Sequence, residues 1–74
     1  MKLNDRVNIS RDGGTTWESY YVAESRLFHY MLRPFGQTEP QYSLEIKRIE
    51  FTKYEKGENA VVTFDGMTAL MKKP

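Results

Sequence analysis

The sequence predicts a small α+β domain: an N-terminal β-hairpin, one helix and a C-terminal three-stranded antiparallel meander, packed in two layers. Three features point that way. Leu3, Val7 and Ile9 alternate with polar residues ahead of an Asp-Gly-Gly turn. Ala23, Leu27, Phe28, Met31 and Leu32 recur at helical spacing and run into Pro34 and Gly36. From Ser43 onward, apolar runs rich in strand formers are separated by polar turns, the last being Asp65-Gly66.

Taken in order, Leu3 to Ser10 reads as a half-buried strand, and Arg11-Asp12-Gly13-Gly14 turns the chain. Glycine accepts a positive φ, and an Asp side chain can bond the backbone two residues on. The next segment reads two ways. Thr15 and Glu18 have the spacing of a capping box, and Trp17, Tyr20, Tyr21, Phe28, Met31 and Leu32 fall at helical intervals, which gives one long helix from Thr16 to Arg33. Thr-Thr-Trp and Tyr-Tyr-Val, however, are strand formers that lose rotamer freedom in a helix. Ala23 to Gly36 is then the predicted helix, and Phe35 to Ser43, with Pro40, a crossing loop.

In Leu44 to Tyr54 the apolar parity switches from Leu44 and Ile46 to Ile49 and Phe51. That predicts a bulge or strong twist near Lys47-Arg48. Glu55 to Asn59 is a polar turn, Ala60 to Phe64 a strand, and Met67 to Met71 its return across a type I′ turn. Residues 1–71 are expected to form the single domain, with 72–74 a frayed tail.

Seventy-four residues hold one core, and a chain of this size buries roughly 60% of its unfolded surface. There is no cysteine, so neither a disulfide nor a thiolate metal site contributes. The core falls to aliphatics and to the 14% of residues that are aromatic. Eleven basic residues against ten acidic ones leave a net charge of +1, too little to attract DNA or an anionic membrane at long range. No apolar run approaches the roughly 20 residues of a bilayer span, and no signal-peptide core is expected. A cytoplasmic protein is the expectation.

Ser10-x-Asp12-x-Gly14-x-Thr16-Trp17 resembles the Asp-box, Ser/Thr-x-Asp-x-Gly-x-Thr-Trp/Phe, found at hairpin corners of sialidase-type propeller blades. The resemblance implies a structural turn away from any active site, with Thr15 to Val22 as the second strand of a hairpin. It covers only Ser10 to Trp17. A propeller needs four or more blades of about 40 residues, so no sialidase activity carries over.

Candidate chemistry is sparse. His29 is the single histidine and has no second His or Cys to complete a metal set. The carboxylate pairs Glu45/Glu50 and Glu55/Glu58 are interleaved with Lys47, Arg48, Lys53 and Lys56, as on a solvated face. The serines lack nucleophile-elbow glycines, and Asp12-Gly13-Gly14 lacks a phosphate-loop lysine. No enzyme activity, cofactor or metal is expected.

The residues enriched in interface hot spots, Tyr, Trp, Arg and Met, are well represented. A partner is expected to dock through Arg11, Tyr20 or Tyr21, and Arg26, while Trp17, Phe28 and Phe51 go to the core. In size and composition the chain resembles small bacteriophage host-takeover proteins. That resemblance implies a non-catalytic regulator of a larger host protein, with bacterial RNA polymerase as the candidate, inhibiting initiation or altering termination. Two alternatives are a small nucleic-acid-binding protein, using Arg6, Arg11, Arg26 and Arg33 with Tyr20, Tyr21 and Tyr30, and a subunit of a virion-like assembly.

Overall fold

An alternation of period two governs the core-forming strands of this chain. In the computed structural model, which describes residues 1–57 and 59–74, six strands form one antiparallel sheet. They are β1 (Arg6–Ser10), β2 (Glu18–Ser25), β3 (His29–Pro34), β4 (Leu44–Lys47), β5 (Ala60–Phe64) and β6 (Met67–Lys72). Their order in the sheet is β4-β3-β2-β1-β6-β5. The sheet curls until its two terminal strands, β4 and β5, approach each other, and the extents of 26 × 24 × 23 Å are nearly equal.

One face of the curl is the core. Val7 and Ile9, Tyr20 and Val22, Tyr30 and Leu32, Leu44 and Ile46, Val62 and Phe64, and Ala69 and Met71 alternate inward from successive strands. Between β4 and β5 the chain forms a 3-10 turn, Arg48–Phe51, that runs into a single helical turn, α1 (Thr52–Glu55). This segment packs against both terminal strands and sends Phe51 and Tyr54 inward. Phe51 meets Tyr30 edge-on, with ring centroids 5.0 Å apart at 83°, and Tyr54 at 6.0 Å and 88°. That is the favourable arrangement for aromatic quadrupoles.

The α+β arrangement is therefore corrected to a curled, nearly all-β sheet. Ala23 to Gly36 is the end of β2, a tight turn and β3, with Arg26 N–H donating to the His29 carbonyl at 2.8 Å. A helix there would bury Leu27 and Phe28, yet they are 80% and 70% exposed. Tyr20 and Val22 on one side of that turn and Tyr30 and Leu32 on the other form matched period-two pairs. Strand pairing buries all four, which no helix face does. The longer helix, Thr16 to Arg33, fails for the same reason. A register shift between Val22 and Glu24 bends β2 where the strand pattern lapses.

The three-stranded C-terminal meander is corrected as well. β4 pairs with β3, β6 with β1, and β5 with β6 alone. The parity switch after Ile46 marks the end of a strand: β4 stops at Lys47, and the 3-10 turn exposes Ile49 while burying Phe51. Asp65 and Gly66 have φ of 51° and 71°, both left-handed, as a type I′ turn requires. Lys72 lies within β6, so pairing runs one residue past the expected domain end.

Candidate functional site

The strand registers define two ends of the molecule. The corner between β1 and β2 lies at one end. The Phe35–Ser43 connection starts there too, since Pro34 sits opposite Tyr20. The β2–β3 turn at Arg26–Phe28 lies at the other end, together with the 3-10 turn that follows β4.

At the corner, Asp12 organises the loop. Its Oδ1 accepts from the Ser10 hydroxyl at 2.8 Å and from Thr16 N–H at 2.9 Å, and Oδ2 accepts from the Thr16 hydroxyl. These bonds to Thr16 and Ser10 hold the carboxyl well below the usual range, at about 2. Ser10 in turn accepts Gly14 N–H at 2.8 Å. Trp17 Nε1–H donates to the Gly14 carbonyl at 3.1 Å, and Lys72 Nζ stands 4.1 Å from the indole ring. Gly14 has φ 99°, a left-handed conformation that strains any residue with a side chain, although a Cβ there would meet Leu70 and Trp17 only at ordinary contact distances of 3.7 and 3.8 Å. The side chains of Ser10, Asp12, Thr16 and Trp17 bond within the loop itself, which is the chemistry of a turn.

The four expected partner-binding residues do not share one surface. Tyr20 is 1% exposed. Arg11 lies over the same end of the core, donating to the Tyr20 hydroxyl at 2.6 Å with its guanidinium 5.4 Å from the Phe64 ring. Tyr21 is half-buried, its hydroxyl donating to the Gln37 carbonyl. Arg26 is at the far end, paired with Glu24 at 3.2 Å. The stacking surface expected for nucleic acid is likewise dispersed: Tyr20 and Tyr30 are interior, Arg6 lies 3.7 Å over the Phe35 ring, and Arg33 pairs with Glu24 at 2.8 Å.

The far end carries what the sequence reading missed. Leu27 and Phe28 form the tip of the β2–β3 hairpin, and Ile49, 78% exposed, stands beside them across a shallow apolar groove. Arg48 fixes the two segments together: its N–H donates to the Phe28 carbonyl at 2.9 Å, its guanidinium to the Arg26 carbonyl at 3.0 Å, and it stacks 4.7 Å over Tyr30. The exposed pair is thus mounted on a braced turn. Phe28, expected in the core, is corrected to this surface. One signal was available: Ser25-Arg26-Leu27-Phe28-His29 makes a hairpin turn without Gly, Pro, Asn or Asp, so turn chemistry does not account for its apolar pair.

The other candidate groups have local partners. His29 Nε2 lies 3.2 Å from Glu45. Glu50 accepts Thr63 N–H, and Glu55 takes the amino group of Met1 at 3.0 Å. Glu58 lies outside the described residues. Among the described residues no three His, Cys, Asp or Glu side chains gather as a metal set, and no helix is long and apolar enough to cross a membrane. No family model matches the chain, nor does any curated protein or solved structure.

Proposed function

We propose that the protein is a non-catalytic binding module that docks on a larger protein through the tip formed by Leu27, Phe28 and Ile49. The supporting observation is the placement of these side chains. A chain with few apolar residues to spare leaves three of them 70–80% exposed side by side, on a turn braced by Arg48. Clustered exposed apolar side chains of this kind mark interaction sites, and a convex tip suits insertion into a partner's pocket. Arg26, Lys47 and Arg48 surround the tip and supply a polar rim. The aromatic anchor is Phe28, in place of the tyrosines expected from sequence.

The partner to test first is bacterial RNA polymerase, the candidate that size and composition suggest, with a phage-type regulator of initiation or termination as the role. Binding of the purified polymerase to immobilised protein is measured for the parent, Phe28→Ser and Tyr42→Ser, the last lying at the opposite end. Loss of an aromatic anchor worth about 2 kcal/mol weakens binding roughly 30-fold. The reading expects that loss for Phe28→Ser alone. Equal binding by the parent and both variants rejects the tip, and no binding by the parent rejects the polymerase. Binding to free nucleic acid that collapses with salt would favour the nucleic-acid alternative instead.

A further inference from the structure

Charge around the docking tip is sorted by sign. The groove between Leu27, Phe28 and Ile49 is also lined by His29, Lys47 and Arg48, and among the described residues no carboxylate lines it. The whole chain has a net charge of only +1, so this excess is local. The carboxylates of the neighbouring elements are turned to other groups. Glu24 holds Arg33 at 2.8 Å and Arg26 at 3.2 Å, and Glu45 lies 3.2 Å from His29. Glu50, next to Ile49, accepts Thr63 N–H. Lys47, the exposed last residue of β4, has no ion-pair partner among the described residues.

We propose, resting on the docking reading above, that the partner protein's pocket is rimmed by carboxylates that meet Lys47, Arg26 and Arg48 around the apolar contact. Such a rim supplies the opposite charge that Lys47 lacks. It also meets two guanidinium groups already held in place, Arg26 by Glu24 and Arg48 by the Arg26 carbonyl and the Tyr30 ring. Little side-chain freedom is then lost on binding. Cations fixed in this way suit carboxylates fixed on a folded partner better than the mobile headgroups of a membrane. A second copy of this chain docked tip to tip would set cation against cation, which is unfavourable. Nucleic-acid phosphates would meet the cations but leave Leu27 and Ile49, which have no plane for stacking, in water.

The test is photocrosslinking in bacterial cells from benzoylphenylalanine at position 28, with the adduct identified by mass spectrometry. Lys47→Glu in the same chain is expected to lower the yield of the protein adduct by roughly fivefold or more, since it sets like charges face to face. Lys47→Arg, which keeps the charge, is expected to leave the yield within about twofold of the parent. Circular dichroism checks each fold, and Arg26→Glu replaces Lys47→Glu should that chain not fold. A protein adduct that the charge reversal leaves unchanged overturns the acidic rim and leaves the docking tip standing. A loss that Lys47→Arg shares also overturns it, since shape and not charge would then decide. Absence of any protein adduct from position 28 overturns the tip and the rim together. Adducts only with lipid, nucleic acid or a second copy of the chain do the same and name the occupant instead.

Discussion

Ser10→Ala isolates the hydrogen-bonded corner between β1 and β2. Ser10 is 1% exposed, and its hydroxyl both donates to Asp12 Oδ1 and accepts Gly14 N–H, each at 2.8 Å. Alanine keeps the β1 backbone and loses both bonds. Asp12 retains its two contacts with Thr16, so that side of the loss is small. Gly14 N–H, half-buried beneath Trp17, is left without an acceptor, and a stranded buried donor costs about 1–3 kcal/mol. A destabilisation of about 2 kcal/mol is expected. In a domain of this size that lowers Tm by about 8–16 °C, at about 4–8 °C per kcal/mol. Urea unfolding followed by Trp17 fluorescence measures it, with Ser25→Ala, on an exposed residue, as the control. The slope with urea should stay constant while the midpoint falls. A loss below about 0.5 kcal/mol, the range of an ordinary surface change, would refute the view that this network holds the corner.

Three further outcomes follow from the same contacts. The folded-state pKa of Asp12 is lowered to about 2, so the stability it contributes is present above the unfolded carboxylate value of about 4 and is lost as pH falls toward 2. The urea midpoints of the parent and Asp12→Asn should therefore converge over that window, and a constant gap would contradict the shift. Phe51, fully buried between Tyr30 and Tyr54, should cost about 3–5 kcal/mol when truncated to Ala; against a total of about 5, much of the protein unfolds at 37 °C by circular dichroism. Leu27→Ser and Phe28→Ser, by contrast, should leave the thermal midpoint within a few degrees of the parent, because little apolar area is buried at either position.

Where one local rule decided the structure, the sequence was readable. Val7 and Ile9 alternate in β1 as they appear, and Asp65-Gly66 makes its turn because few other pairs accept two positive φ values. Ser10, Asp12 and Thr16 meet because their spacing closes a loop over four residues. The helix expected over Ala23 to Gly36 failed because Ala23, Leu27 and Phe28 match a helical face only if Leu27 and Phe28 belong to the core. They lie in a turn, and the competing pairs Tyr20/Val22 and Tyr30/Leu32 gain their burial from partners on other strands. The pairing of β6 with β1 joins residues about sixty positions apart, and no local pattern announces it. The aromatics divide along the same lines. Of the adjacent pair Tyr20 and Tyr21, Tyr20 is interior and Tyr21 is half-buried and tied to Gln37, while Phe28, Phe35 and Tyr42 are exposed, Phe28 most of all.

Site-specific photocrosslinking in bacterial cells tests the docking tip most directly. Benzoylphenylalanine replaces Phe28 in one sample and Tyr42, at the opposite end, in another, and adducts are identified by mass spectrometry. If the tip docks, position 28 yields one dominant protein adduct, which Ile49→Ser in the same chain weakens, and position 42 yields none. Adducts from position 42 with none from position 28 would place the interface at the corner end and contradict it.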